Sequence, residues 1–313
     1  MKSSEVLVGG GWDPKVYEWL LRLTGEKVRW KRVAVFDFDG TLIQGDIGET
    51  VFAAMALSGM LRVDLPEFRG LLSRSVSIPK KKWGIRRSKL TTLPEFTAGR
   101  EEVCHPVLGS LWSEYQRLMR ELGSEAAYRW KTQTLVGLRP ERVEMISRIV
   151  WDRELSCLST TCQLVQGDSS FDLRVGIKIY QEVRNLIQFL HHLNWEVWIV
   201  SASNQYTIRA LSHHFGIPPE RAIGIGLEKN GWRRLSSQLS LPVSAGNGKV
   251  DVLKQYGLSP DLVVGDSMGD HAMLMYSTYR GARIVVIGER IPLHHRHSNW
   301  FIQPEHTLNL VSA

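Results

Sequence analysis

Short unbroken apolar runs recur along this chain and alternate with helical stretches. "VAVF" (Val33–Phe36) is the first; "EVWIVSAS", "RAIGIGLE", "DLVVGDSMGD" and "ARIVVIG" follow beyond Gly176. Such runs, rich in Val and Ile, mark strands buried on both faces. Between them "YQEVRNLIQFLHHLN", "NQYTIRALSHHFG" and "GKVDVLKQYG" carry helical spacing, with Gly216 as a C-cap for the second. Ahead of the first run, "WDPKVYEWLLRL" reads as a lead-in helix. Asp13 is its N-cap, Pro14 stands at the first helical position, and Val16, Leu20 and Leu23 share one face. Strands alternating with helices imply a parallel sheet covered on both faces, so the fold class is α/β.

The alternation is interrupted between the first two strands. From Asp46 the apolar residues of "ETVFAAMALSGML" and "SLWSEYQRLMRELG" recur every three or four positions, without a strand of comparable quality. The basic stretch "PKKKWGIRRSKL" lies between them. The expectation is a discontinuous α/β core, residues 1–45 and 172–313, with a mostly helical domain, residues 46–171, inserted into it.

Composition narrows the class of protein. In 313 residues, 43% are hydrophobic and 23% charged, which suits a globular chain with a sizeable core. The net charge of +7 favours anionic ligands but is far from a nucleic-acid-binding tail, and no nucleic-acid partner is expected. No apolar stretch is long enough for a membrane span, and no export signal is read at the N-terminus. The three cysteines, Cys104, Cys157 and Cys162, then read as thiols of a reducing compartment, and the expected location is the cytoplasm.

In an open α/β sheet, ligands bind beyond the carboxyl ends of the strands. Reactive groups stand at four such places: Asp37 and Asp39 after the first strand, Ser201 in "IVSAS", Lys249 after a Gly-rich loop, and Asp266 with Asp270 in "GDSMGD". Carboxylates gathered at one edge repel unless a cation sits among them, and a hard dication such as Mg2+ prefers oxygen ligands. A phosphate could then approach. Asp37 would serve as nucleophile and Asp39 as acid and base, with the Ser201 hydroxyl binding phosphoryl oxygens and Lys249 screening charge.

These residues carry a resemblance. "DFDGT", Ser201 in "VSAS", Lys249 and "GDSMGD" resemble the four motifs of the haloacid dehalogenase superfamily, in order, across the whole core. The resemblance implies a Rossmann-like core and an aspartyl-phosphate on Asp37. It implies Mg2+ held by Asp37, the backbone carbonyl of Asp39 and Asp266, with Asp270 as a further ligand or support. Gly40, Thr41 and Ala202 would line the phosphate's approach. The insert corresponds to the family's helical C1 cap. The likeness extends to the phosphoserine phosphatase and phosphorylcholine phosphatase branch, where an acidic residue nine positions past the nucleophile binds the substrate ammonium. That position is Asp46, which reads equally well as the N-cap of the first cap helix. Gly269 stands where many phosphoserine phosphatases have an Asn that contacts phosphate.

The function expected is a Mg2+-dependent phosphomonoesterase acting on a small phosphorylated, amine-bearing metabolite. Phosphotransfer to an alcohol would share the same aspartyl-phosphate. Dehalogenation is disfavoured, because a halide leaving group needs neither the Asp39 acid nor a metal cluster. A different class, a module docking an anionic partner, would use the run Lys80, Lys81, Lys82, Arg86, Arg87 and Lys89. The cap residues Trp83, Trp112, Trp130 and Trp151 read as packing, with a cation–π cage as the alternative. His294, His295 and His297 read as a solvated segment, with a metal tract as the alternative.

Overall fold

The computed structural model describes residues 6–26, 31–73, 102–103, 106–158, 160–166 and 169–312. The chain forms two compact units. One comprises residues 1–44, 178–225 and 242–313, and the other residues 45–177 and 226–241.

The first unit is built on a six-stranded parallel sheet. Val33–Phe36 sits inside it, flanked by Glu196–Asn204 on one side and Leu262–Gly265 on the other. Ala222–Ile225 extends the sheet beyond Glu196–Asn204, and Arg283–Ile287 and Phe301–Gln303 extend it beyond Leu262–Gly265. Counted along the chain, the order in space is third, second, first, fourth, fifth, sixth. The direction of winding reverses between the first and fourth strands, and such a reversal opens a crevice at the strand ends. Val35 pairs with Val263 and with Trp198, so the residues leaving these three strands emerge side by side. One face of the sheet packs Val35, Val200, Val263, Ile284 and Val286 against Val252 and Leu253 of the helix Gly248–Gln255 and Met273 and Leu274 of the helix His271–Thr278. These side chains alternate with residues of the opposite face, as a strand period of two requires.

Local signals fold as their chemistry dictates. The Asp13 carboxylate accepts from the Lys15 and Val16 amides at the start of helix Pro14–Gly25, which buries Val16, Leu20 and Leu23. Gly216 adopts φ +68° after the turn Ser212–Phe215, the left-handed C-cap expected of it. A small antiparallel sheet of Leu310–Val311, Lys178–Tyr180 and Ile43–Gln44 completes this unit.

The second unit contains helices Ile47–Leu57, Pro66–Gly70, Pro106–Leu122, Ser124–Gln133 and Pro140–Ser156. It differs from the sequence expectation in two ways. It carries a three-stranded sheet of Glu102–Val103, Thr160–Gln166 and Ser169–Val175, the last two paired antiparallel. It also takes in the hairpin Leu227–Lys229 and Leu235–Leu239, which the sequence alone assigns to the core. The run "RAIGIGLE" is therefore two strands. Ala222–Ile225 joins the parallel sheet, and after Gly226 the chain pairs elsewhere, with the Gly137 amide donating to the Leu235 carbonyl and the Leu235 amide to Leu138. Backbone pairing satisfied by a partner a hundred residues away leaves no local trace.

Trp112 and Trp151 are wholly buried, and Phe52 lies between the rings of Trp112, Tyr115 and Trp130. These tryptophans are core, as their size favours. Trp83 and the basic run Lys80 to Lys89 fall outside the described residues. Among the described residues no helix is long and apolar enough to cross a membrane.

Candidate active site

Asp37 follows the strand Val33–Phe36, and its amide still donates to the Val264 carbonyl of the neighbouring strand at 3.0 Å. That bond extends the ladder one residue past the strand and fixes Asp37 at the crevice. The chain then turns through Gly40 at φ +80°, and the Gly40 amide donates to the Ile43 carbonyl. A Cβ at Gly40 would lie 2.5 Å from Asp266 Oδ2 and 2.6 Å from Arg290 Nη1, so both the angle and the space demand glycine.

Lys249 comes from the first turn of helix Gly248–Gln255 and is buried. Its Nζ lies 2.6 Å from Asp37 Oδ1 and 2.6 Å from Asp270 Oδ1. The other oxygen of Asp270 accepts from the Asp266 and Ser267 amides, each at 3.1 Å, and from the Ser267 hydroxyl at 3.3 Å. Both Asp270 oxygens are thus engaged in positioning Lys249 and the Asp266 loop. Asp266 accepts from the Thr41 hydroxyl at 3.4 Å and from Arg290 Nη1 at 2.7 Å. Oxygens of Asp37, Asp266 and Asp270 lie within 4.8 Å of one another. Among the described residues this is the grouping suited to a metal; His294, His295 and His297 form none.

Asp39 is half-buried and accepts at Oδ2 from the Ser203 hydroxyl at 2.6 Å. Ser201 is fully buried, and its Oγ accepts from the Ser203 amide at 3.1 Å, which leaves the hydroxyl proton as a donor. The Ser244 hydroxyl holds the Ser201 carbonyl at 2.6 Å. The half-buried Ala202 lies between the two serines. Asp37, Asp39, Thr41, Ser201, Lys249, Asp266 and Asp270 therefore all belong to the first unit.

Three further residues join this group without having been singled out from the sequence: Ser203, Ser244 and Arg290. Strand alternation two residues past Ser201 was a usable signal for Ser203. Neither Ser244 nor Arg290 lies in a motif.

The electrostatics follow from burial. Burial pushes the Asp37 carboxyl up to about 7, the Asp270 charge adds to this, and Lys249 opposes it. Asp266 is held well above the usual carboxylate range by burial and by Asp270 and Asp37, against Arg290 and Lys249. Burial also acts on Asp270, but Lys249 and two backbone amides outweigh it and keep this carboxyl low. Lys249 is raised, because Asp270 and Asp37 outweigh its own desolvation. Burial is the larger cause for both raised carboxyls and the neighbouring carboxylates add to it, so a cation placed among them would favour their ionised forms. Three carboxylates with oxygens within 4.8 Å of one another form an all-oxygen donor set that fits a hard dication such as Mg2+.

Asp46 lies in the second unit. Its Oδ1 accepts from the Glu49 amide at 2.7 Å, which caps helix Ile47–Leu57. The same oxygen lies 3.8 Å from Nζ of the buried Lys131, itself set over the rings of Tyr115 and Tyr128. The Tyr115 hydroxyl donates to Glu49 at 2.7 Å. The Asp46 carboxylate already faces an ammonium of its own chain.

The model of one family, described as haloacid dehalogenase-like hydrolase, matches residues 110–275. That is more than half of the chain, and the chain belongs to this family. The matched span holds Ser201, Lys249, Asp266 and Asp270, while Asp37 and Asp39 precede it. Among solved structures, a functionally unknown protein from Anaerococcus prevotii DSM 20548 superposes with a TM-score of 0.67 at 18% identity, covering 92% of this chain and 88% of that one. A protein of unknown function from Bordetella pertussis Tohama I gives 0.54 at 16% identity, covering 87% and 97%. These likenesses establish the fold. A phospho-aspartyl intermediate analogue of phosphoserine phosphatase gives 0.46 at 14% identity over 88% and 94%, a superposition too loose to bear on the site. A comparison with curated proteins finds no match.

Proposed function

We propose that this hydrolase is a phosphomonoesterase that cleaves a small phosphorylated metabolite through an aspartyl-phosphate on Asp37. The observation that carries the reading is the pairing of the buried Asp37 with Lys249, beside Asp266, at the point where the sheet reverses its winding. A carboxylate so placed is shielded from bulk water and has a cation to offset the charge of an incoming phosphate.

In this mechanism a carboxylate oxygen of Asp37 attacks phosphorus while the bond to the leaving oxygen breaks. Asp39, in its acid form, gives that oxygen its proton. Asp39, now a carboxylate, then takes a proton from the water that attacks the aspartyl-phosphate, and inorganic phosphate and Asp37 are released. Ser203 holds the Asp39 carboxyl throughout. The Ser201 hydroxyl donates to a phosphoryl oxygen, and Lys249 favours the ionised form of Asp37 and holds it in place, itself held by Asp270. Mg2+, held by Asp37, Asp266 and the Asp39 carbonyl, would screen the phosphate from the nucleophile.

The organic half of the substrate is the open part of the reading. An amine-bearing ester was expected from Asp46, but this carboxylate caps a helix and faces Lys131. The test is phosphate release from a panel containing phosphoserine, phosphocholine, phosphoethanolamine, sugar phosphates and nucleotides, with and without Mg2+. Asp37→Asn should lower turnover at least about a thousandfold with the fold intact. Undiminished turnover by Asp37→Asn would overturn the reading.

A further inference from the structure

Arg290 lies just beyond the strand Arg283–Ile287, outside every motif read from the sequence. Its Nη1 lies 2.7 Å from Asp266 Oδ2, and its Nη2 lies 3.6 Å from Glu305 Oε2. The side chain is 44% exposed, while that of Asp266 is 3% exposed. Glu305 is anchored in turn, since its Oε1 accepts from the Tyr180 hydroxyl at 2.5 Å and from Gln44 Nε2 at 3.5 Å. Gly40 leaves the space in which the guanidinium and Asp266 meet.

A guanidinium is charged at every pH a protein survives. Here it covers one oxygen of a carboxylate that the proposed function assigns to a dication. Two positive groups cannot share that seat without strong repulsion in a buried setting. The other arm of the same guanidinium already points to a second, fixed carboxylate. Because the side chain is half open to solvent, it can leave Asp266 for Glu305 without crossing packed core.

We propose that Arg290 is a built-in competitor for the metal seat at Asp266, and that Glu305 is the seat it takes when a divalent cation enters. The balance between the two carboxylates then sets the affinity for the metal. This inference rests on the metal reading of the site but not on turnover.

The test is titration calorimetry of Mg2+, and separately Mn2+, into the full-length protein without substrate. Arg290→Gln should tighten binding about tenfold, and Glu305→Gln should weaken it by a similar factor, because the arm then has only Asp266 to pair with. Circular dichroism melts would check that each variant folds, and the opposite signs guard against general damage. Weaker or unchanged binding in Arg290→Gln overturns the inference, as does unchanged or tighter binding in Glu305→Gln. Undetectable binding in the wild type and both variants overturns this inference together with the metal reading. Metal affinities that shift as stated, with no ester hydrolysed, would sustain the inference while the phosphatase reading fails.

Discussion

At the residue scale, the site is a set of charges that cannot be removed singly. Lys249 is buried between Asp37 and Asp270, 2.6 Å from each. Lys249→Ala should abolish activity and cost about 3–5 kcal/mol of stability, because two buried carboxylates lose their shared cation. Urea denaturation of the metal-free protein would measure this. Ser203 makes a smaller and different contribution. Its hydroxyl holds Asp39 at 2.6 Å, and Ser203→Ala should lower kcat about tenfold with KM little changed, since a hydrogen bond to a charged group is worth about 1.5–3 kcal/mol. A steady-state comparison with Ser203→Thr, which keeps the hydroxyl, separates the lost bond from general disturbance. Asp37, Asp39, Ser201, Lys249, Asp266 and Asp270 were singled out in the sequence by their place near strand ends and helix starts, although Ser201 lies inside the strand Glu196–Asn204 rather than at its end. Arg290 and Ser244 were not, since their meeting with Asp266 and Ser201 depends on how distant segments return to the crevice.

At the element scale, capping and pairing decide what the local signals mean. Asp46 satisfies the Glu49 amide at the start of helix Ile47–Leu57. Asn caps a helix as well as Asp does but gives up the charge beside Lys131, so Asp46→Asn should lose less stability than Asp46→Ala, which loses the cap as well, about 1 kcal/mol more. Thermal melts of the two variants check this. KM values of Asp46→Asn for amine-bearing esters would then report on the charge alone. The strands Thr160–Gln166 and Ser169–Val175 and the hairpin at 227–239 were not read in their place from the sequence. Strand pairing is a property of partners, and short strands beside long helices carry a weak period. Five of the six parallel strands were legible because burial on both faces leaves largely apolar runs such as Val33–Phe36, Leu262–Gly265 and most of Glu196–Asn204, whereas Phe301–Gln303, three residues with only Gln303 buried, left no such run and was not read.

At the scale of the whole molecule, protonation of the buried carboxyls is coupled to stability. Asp37 is raised from 3.8 to about 7, and Asp266 is raised also, so the folded metal-free protein binds more protons here than the unfolded chain does. A raised carboxyl contributes stability that is complete below its unfolded value and lost as pH rises through its folded value. The metal-free protein should therefore lose this contribution between about pH 4 and 7. Asp270, held low, acts in the opposite direction: its contribution is present above the usual carboxylate range and is lost in acid. Mg2+ binding near pH 7 should release protons, because ligands must ionise to bind. Calorimetry in two buffers of different ionisation enthalpy would reveal the release. Equal heats in both buffers would contradict it.

What the sequence determined by itself was the α/β class, the chain order of the reactive residues and the presence of a large insert after the first strand. Those features are encoded locally, by apolar runs, helical spacing and the residue types that end each element. The tertiary structure alone decided that Val33–Phe36 lies between the strands that deliver Ser201 and Asp266. It also decided that residues 226–241 fold with the insert, and that Arg290 shares Asp266 with Glu305. The reason is physical. Sheet order, hairpin partnership and ion pairing depend on groups far apart in the chain, and the free energy of each is settled only when the whole fold brings them together.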